Sequence, residues 1–555
     1  MFGWGSALGL PSIALDPDKE RSPPPPPTPL DFPIYRFPDV PKTPDEESLR
    51  NFKSVLASIR RPQDITPQKF HGLNLDVSTD VPISDIVRHD GARTAPTLPW
   101  ETNLENPSLG QAPPADGTPV TMDNENPYPP KDKYELLEQE LLLNNDDAFR
   151  EVARLPPREG RDRVRVTQAR KFWTALERMS TYWDDSLDSY FERPKSPEPE
   201  TEADTTPMDV DAAPQEKIAK QAPAPDAGSA PDATPELVKK YTGRRSGAGA
   251  DMPDDIREET VRAITEMAAW PFGCQVSLPI VPPRLLLGKL LFPVRQTFQA
   301  TRSPKDRQLA RNGILEGPVF IAQCRPDTTF RGPEEAHGAG LGDTCDLIRE
   351  VASMILAAQE RAREGLTDVR PGEGEWWTTV PRWGGAPNDA IGDSPRVTAE
   401  QEKEKEAAAA AAASGGHERK RSRGGLRRPG LARKMSSSEK WRLVQPGPSL
   451  WDRRMRYIQI GKEKESPFDD IYLLSSINHH LSILHLRIHQ RYLDILTTGT
   501  SDVPPEDSPE DSPEEHPWHV LKVRRTRWYD LFDAQDRVEV FRGIWTLFHC
   551  QLRRI

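Results

Sequence analysis

The sequence predicts a mainly α protein with extensive disorder, in which small helical blocks accompany one small mixed or irregular domain. Only 35% of the 555 residues are apolar, 29% are charged and 58 are proline, so the apolar side chains are too few for one continuous globule. Tryptophan marks the parts that fold, because a large ring gains free energy by burial. Eleven of the 13 tryptophans lie in four blocks, residues 131–193, 254–383, 439–500 and 517–555. The sequence leaves open whether these blocks pack into one discontinuous core.

Residues 1–130 are expected to be a Pro-rich disordered region with a short amphipathic helix at 44–60. Their 24 prolines remove backbone donors and favour extended backbone. Thr43 is the predicted N-cap, Pro44 the first helical residue, and Glu46 completes a capping box. Such a helix either docks on a partner or packs on a core formed by later residues. The candidate partner-binding residues on its apolar face are Leu49, Phe52 and Leu56.

The next block and its linker differ sharply in composition. Residues 131–193 are predicted to form two helices, because apolar residues recur at helical spacing around Leu137 and again around Trp173. Residues 194–253 are acidic, rich in proline and alanine and almost free of aromatic residues. We expect this stretch to be a flexible linker.

Residues 254–383 are predicted to form the mixed α/irregular domain. A helix opens the block, and residues 319–322 are a short strand of β-branched and aromatic residues between prolines. A second helix carries Leu347 and Val351 on its apolar face. Three tryptophans close the block and either pin their loop to a core or form a recognition loop. These candidate partner-binding residues are Trp376, Trp377 and Trp383.

The remainder is predicted to alternate between linkers and helices. Residues 384–438 are a low-complexity linker and residues 501–516 an acidic linker. In the helical block 439–500, apolar residues from Ile471 to Ile488 recur every three or four positions, and the C-terminal helical block 517–555 repeats that spacing.

Local motifs do not indicate an enzyme. His485 and His489 are four residues apart on a predicted helix, within reach of one metal ion, but Leu486 replaces the glutamate of an HExxH motif and no third ligand is nearby. We therefore expect these histidines to have a structural or partner-contact role, and we assign no metal, cofactor or catalytic residue. The four cysteines form no CxxC pair, and there is no Gly-rich phosphate loop or nucleophile elbow.

A basic run at 417–434 is the most informative functional feature. It stands out in a chain of formal net charge −12, and it contains one glutamate. Clustered basic residues suit the acidic grooves of import receptors, so we expect the protein to be nuclear. The candidate nuclear-import residues are Arg419, Lys420, Arg421, Arg423, Arg427, Arg428, Arg433 and Lys434.

Other features bear on the cellular setting. The N-terminus lacks a basic secretory n-region, and the most apolar window is interrupted by four prolines and two basic residues, so we expect no membrane segment. Seven Ser-Pro and six Thr-Pro pairs indicate a phosphoprotein.

Together these features predict a non-enzymatic nuclear scaffold or adaptor with protein partners, as a subunit of a chromatin or transcription assembly. One alternative is an RNA- or DNA-associated factor that uses segment 419–434, with Arg524 to Arg527 as a second basic stretch, which makes nucleic acid a secondary partner. A second alternative is an enzyme with an unrecognised site in 254–383.

Overall fold

A computed structural model describes residues 16–35, 45–59, 65–86, 121–194, 237–278, 284–288, 290–332, 334–335, 341–364, 375–376, 456–462, 466–504 and 517–552. They belong to two units: a smaller one within Met1–Pro27 and Ser180–Ala248, and a larger one within Thr28–Met179 and Gly249–Ile555.

The helices and strands are spread along the whole chain. The helices are α1 (Glu46–Ser58), α2 (Ile83–Ile86), α3 (Lys131–Leu141), α4 (Asn145–Val152), α5 (Arg170–Trp183), α6 (Asp254–Ala269), α7 (Arg307–Arg311), α8 (Leu341–Arg361), α9 (Gln490–Thr498) and α10 (Ala534–Gln551). The strands are β1 (Leu75–Ser78), β2 (Ser189–Pro194), β3 (Leu237–Thr242), β4 (Cys274–Ser277), β5 (Arg284–Leu287), β6 (Leu290–Pro293), β7 (Phe298–Arg302), β8 (Ile314–Arg325), β9 (Glu375–Trp376), β10 (Arg456–Ile458), β11 (Phe468–Ile477), β12 (His480–His489), β13 (Leu521–Arg525) and β14 (Tyr529–Asp530). Short 3-10 helices occupy Pro67–Leu73, Gly249–Asp251 and Trp270–Phe272.

A nine-stranded mixed sheet is the centre of the larger unit. Seven strands follow one another in the order β1-β13-β12-β11-β8-β7-β4, while β10 also pairs with β8 and β14 with β12. Strands β8 and β11 are parallel, and β1 is parallel to β13, whereas the pairs β11–β12, β12–β13, β7–β8 and β4–β7 are antiparallel. Parallel neighbours need a crossover connection, and α8 lies in the chain between β8 and β11.

Helices cover both faces of this sheet. Neighbouring residues of a strand point to opposite faces. Ile321 of β8 joins the core cluster that contains α8 residues such as Ile355, whereas Phe320 contacts Phe548 of α10 with ring centroids 5.2 Å apart. On the α10 side, Tyr134 of α3 packs edge-on against Trp545 at 5.3 Å. The sheet is therefore the buried middle layer of the unit.

The predicted mainly α fold is wrong, because the described residues are 40% helical and 23% strand and contain this sheet. The error is largest in block 439–500, where β11 and β12 were expected to be helical. Nearly every residue of these two strands is buried. A strand covered on both faces loses the alternation of apolar and polar residues, so Ile471, Leu474 and Ile477 satisfied a helical spacing by chance. Block 517–555 likewise contains β13 and β14 before α10.

Several local predictions agree with the structure. Residues 319–322 lie within β8, and the apolar stripe containing Leu347 and Val351 lies on α8. Helix α1 occupies most of the predicted span 44–60, but its N-cap is Asp45, whose carboxylate accepts a hydrogen bond from the Ser48 amide at 2.9 Å. Thr43, the predicted N-cap, lies outside the described residues.

The smaller unit contains an antiparallel pair of strands, β2 and β3, with Ser189 opposite Thr242. Beside this pair, Arg245 forms a buried ion pair with Asp188 at 2.7 Å. The Tyr241 hydroxyl donates to Asp188 at 2.7 Å and accepts from the Arg245 amide at 2.9 Å. One buried arginine therefore joins the end of the strand pair to the turn before β2.

Candidate functional site

A cluster of charged and polar side chains lies at one end of the central strands, which we call the buried ion network. Arg325 and Arg525 are the last residues of β8 and β13, and Ser475 lies on β11 between them in the sheet order. Two carboxylates face them from α8, one helical turn apart. The members are Tyr35, Arg325, Asp346, Glu350, Ser475 and Arg525.

Every charge in the buried ion network has an oppositely charged neighbour. Arg325 lies 2.6 Å from Asp346 and 2.8 Å from Glu350, and Arg525 lies 2.9 Å from Glu350. The Ser475 hydroxyl donates to Glu350 at 2.5 Å. The side chains of both carboxylates and of Arg325 are fully inaccessible to solvent. Two positive and two negative groups therefore balance one another in a region almost inaccessible to solvent, which is the condition for keeping charges buried.

The two carboxyl groups differ in their proton affinity. Burial raises the pKa of Asp346 to about 6, an effect only partly opposed by Arg325. Glu350 is equally buried, but Arg525 and Arg325 together hold its pKa below the usual range for a glutamate. One helical turn thus carries a carboxylate that stays ionised and a carboxyl that takes up a proton in mildly acidic conditions.

An N-terminal strap, residues 28–35, closes over the buried ion network. The Tyr35 hydroxyl donates to Asp346 at 2.9 Å, and the Ile34 amide donates to Asp343 of α8 at 3.0 Å. Phe32 stacks on Trp528 with ring centroids 5.3 Å apart, and Trp528 in turn lies 4.2 Å from the Arg525 guanidinium. Aromatic rings and the strap therefore separate the charges from solvent, and the arrangement is suited to locking α8, three strands and the strap together.

Next to the strap, two adjacent histidines face one carboxylate, a group we call the histidine pair site. His479 lies in the turn between β11 and β12, His480 begins β12, and Asp530 lies opposite His480 in the β12–β14 register. The Nε2 atoms of His479 and His480 are 3.8 and 4.0 Å from Asp530 oxygens. Burial lowers the pKa of both imidazoles, that of His480 to about 4, so both rings are neutral at pH 7.

His485 and His489, in contrast, do not share one face of a helix, because they lie on β12. Four residues of strand separate them by about 13 Å, too far for one ion to bridge. His485 Nε2 is 2.6 Å from Asp470, and His489 Nδ1 accepts from the Arg491 amide at the start of α9. Their observed contacts are within the fold, and the helix predicted to carry them is wrong.

The residues predicted to bind a partner or an import receptor lie in different parts of the chain. Leu49, Phe52 and Leu56 are 3–4% exposed and belong to the core cluster beside α8. The sequence left open whether their helix docks on a partner or packs on the core, and in the structure it packs on the core. Trp376 lies in β9, opposite Leu291 of β6. The other predicted residues lie outside the described part of the chain: Trp377, Trp383, Arg419, Lys420, Arg421, Arg423, Arg427, Arg428, Arg433 and Lys434.

Sequence reasoning missed the buried ion network, although a weak signal exists. Asp346 and Glu350 are spaced i, i+4 and directly precede the apolar positions Leu347 and Val351, so they border the buried face of α8. Arg325 likewise ends an apolar strand. Charges placed at the margins of buried elements are expected to be paired, but the pattern does not tell which partner each one takes.

The chain has no match among known protein families, curated proteins or solved structures. In the part of the chain that the structure describes, no helix has the length and apolar character needed to cross a bilayer. A functional proposal must therefore come from the geometry of this molecule.

Proposed function

We propose that the protein is a non-enzymatic nuclear scaffold or adaptor. Its helices and strands form a folded α/β part, which we call the body, and this body carries inserted segments for nuclear import and for partner binding. The narrower form of the proposal is a subunit of a chromatin or transcription assembly. The observation that supports the proposal is that the two ends of the segment containing the basic run lie next to each other in the fold.

The two ends of this segment are tied together. α8 ends at Arg361, and the chain returns at β10. The Gln459 amide donates to the Glu364 carboxylate at 3.0 Å, and the Gln459 side chain donates to the Arg361 carbonyl at 2.8 Å. Arg361 in turn donates to the Ile460 carbonyl at 2.8 Å. The two ends of segment 365–455 are therefore adjacent. Within it, β9 pairs with β6, and the basic run follows β9 in the sequence, in a segment that we propose serves recognition.

The acidic segment 195–236 has the same arrangement within the smaller unit. Pro194 at the end of β2 lies opposite Leu237 at the start of β3. An insertion with paired ends costs little more loop-closure entropy as it lengthens, so such segments accumulate length without disturbing the strands that hold them. Long inserted segments on a folded body are typical of proteins that collect several partners.

Two arginines of the basic stretch near the C-terminus are paired within the fold, which weakens the case for nucleic-acid binding there. Arg525 is buried in the ion network, and Arg527 lies 2.6 Å from Asp536 and 2.8 Å from Glu539. These two charges are already balanced within the body, so they add little to the attraction of a phosphate backbone. The basic run at 417–434 is then the main candidate for that attraction.

Localisation of a charge-neutralised protein tests the import function. In the full-length variant, the eight basic residues of the run are replaced by glutamine, and a matched control replaces eight glutamate and aspartate residues of segment 195–236 by glutamine. We expect the first variant to be cytoplasmic and the control to remain nuclear, with the thermal unfolding temperature of both close to that of the wild type. Residues 417–434 fused to a cytoplasmic reporter should carry it into the nucleus. A nuclear first variant together with a cytoplasmic reporter would reject the import role.

The scaffold function has its own test. Affinity purification of the full-length protein from nuclear extract should recover a fixed set of proteins in stoichiometric amounts, and this recovery should survive nuclease treatment. Recovery of abundant chaperones alone would reject the scaffold. Recovery that disappears with nuclease or falls steeply with salt would instead identify the RNA- or DNA-associated factor.

A further inference from the structure

We propose that His479, His480 and Asp530 form a binding site for one divalent transition-metal ion of the zinc type, with a water molecule as the fourth ligand. Imidazole nitrogen and carboxylate oxygen are ligands that such ions accept, and three protein ligands with one open position are typical of sites that hold a water. The inference is independent of the proposed scaffold function.

The spacing of the three ligand atoms fits an ion between them. A tetrahedral site with metal–nitrogen bonds of about 2.0–2.1 Å places neighbouring ligand atoms about 3.3 Å apart. His479 Nε2 is 3.8 Å from Asp530 Oδ1, and His480 Nε2 is 4.0 Å from Asp530 Oδ2. Each of the three residues offers one ligand atom that lies within 4.8 Å of the other two. These distances exceed the tetrahedral spacing, so binding an ion requires the three side chains to move closer together.

A second histidine–carboxylate pair in the same sheet provides an internal comparison. His485 Nε2 and Asp470 are 2.6 Å apart, the length of a direct hydrogen bond. The distances at the histidine pair site are more than 1 Å longer for both imidazoles, although all three residues are held by the same sheet. Two imidazoles therefore face one carboxylate at distances longer than a direct hydrogen bond.

The backbone around the site is fixed before any ion binds. His480 lies opposite Asp530 in the β12–β14 pairing, and the Leu531 amide donates to the His479 carbonyl at 3.0 Å. The Asp530 carboxylate accepts from the Phe532 amide at 2.8 Å, which sets the orientation of that ligand. Such supporting contacts orient metal ligands and raise affinity.

The surroundings are closed on one side and open on the other. The Phe32 ring packs edge-on against His480 with centroids 4.9 Å apart, and Phe532 lies 5.1 Å from His479. The histidine side chains are 11% and 16% exposed, whereas Asp530 is 34% exposed. The ion would therefore enter from the Asp530 side, and the water ligand would point there.

Zinc binding by the full-length protein tests the proposal. After the protein has been stripped with a chelator, Zn²⁺ is titrated in competition with a chromogenic chelator, for the wild type, His480→Gln and Asp530→Asn. The control His71→Ala removes an exposed histidine of the Pro67–Leu73 helix. We expect one tight Zn²⁺ per chain in the wild type and control, and at least about tenfold weaker binding in both variants.

Cobalt spectroscopy distinguishes this site from a cysteine site. Co²⁺ at the histidine pair site should give the visible bands of a four-coordinate ion with no thiolate charge-transfer band. Asp530→Asn keeps the acceptor for the Phe532 amide, so near-UV circular dichroism should show that this variant is folded. Equal zinc affinity in wild type and Asp530→Asn, or a thiolate band in the wild type, would overturn the proposal.

Discussion

Replacing Glu350 by glutamine is the sharpest test of the buried ion network. The substitution keeps the size of the side chain but removes the negative charge that lies 2.8 Å from Arg325 and 2.9 Å from Arg525. Two buried guanidinium groups would then share a single carboxylate, Asp346. Because the amide group of glutamine also presents a donor where a carboxylate accepted, at least one guanidinium would lose its hydrogen-bond partner.

The expected loss follows from the burial of the group. Removing one partner of a buried ion pair costs about 3–5 kcal/mol, since the remaining charge stays desolvated. Total unfolding free energies are roughly 5–15 kcal/mol, so the loss is a large fraction of the whole. If about 300 residues unfold together, an entropy of roughly 2.1 cal/mol/K per residue converts a loss of about 4 kcal/mol into a fall of about 6 °C in Tm.

Urea unfolding followed by tryptophan fluorescence measures the free energy, and calorimetry measures the Tm. Glu125→Gln is the matched control, because Glu125 pairs with Lys305 at 3.1 Å but both side chains are at least 65% exposed. An exposed pair contributes about 0–1 kcal/mol, so the control should unfold almost like the wild type. A loss below about 1 kcal/mol for Glu350→Gln would show that the two arginines remain hydrated, and it would refute the account of a closed network.

Three further predictions concern other parts of the fold. Burial raises the pKa of Asp346 to about 6, so between roughly pH 4 and 6 the folded protein binds more protons than the unfolded chain. The unfolding free energy of the wild type minus that of Asp346→Asn, measured by urea unfolding at several pH values, should therefore fall as pH rises through this window. A difference that stays constant with pH would contradict the raised pKa. Phe52→Ala should cost about 3–5 kcal/mol in the same assay because Phe52 is 4% exposed in the core, whereas a side chain reserved for a partner would leave stability unchanged. Tyr241→Phe removes the hydroxyl that bonds both Asp188 and the Arg245 amide, and should lower the stability of the strand pair by about 1–3 kcal/mol. The loss should appear as faster hydrogen exchange of the β2 and β3 amides. Unchanged exchange would argue against a structural role for that hydroxyl.

The sequence predicted several helices and one core strand but missed most of the sheet. Helices α6 and α8 were expected because their apolar residues recur on one side of a helix. Strands β11 and β12 are buried on both faces, so their apolar residues show no period of two, and length and composition favoured a helix. These two strands, with β8, form the middle of the sheet, so the helical interpretation of block 439–500 removed a large part of the β structure from the prediction.

The candidate sites were harder to predict than the fold because their members are far apart in sequence. Tyr35 accepts a hydrogen bond from Arg525 at 2.7 Å across 490 positions, and no local pattern connects two such residues. His479 and Asp530 are also brought together only by the pairing of β12 with β14. The histidines that the sequence did single out, His485 and His489, were chosen for a helical spacing that the strand does not have.

Proline content alone could not separate the N-terminal strap from the inserted segments. The strap and the acidic segment 195–236 are both rich in proline, and both were expected to lack fixed structure. In the strap, however, the Ile34 amide, the Phe32 ring and the Tyr35 hydroxyl each find a partner in the larger unit. Extended backbone folds when its polar groups and rings are satisfied by buried partners, and proline lowers the entropy lost when it does so. The strap therefore belongs to the body as much as any strand of the sheet.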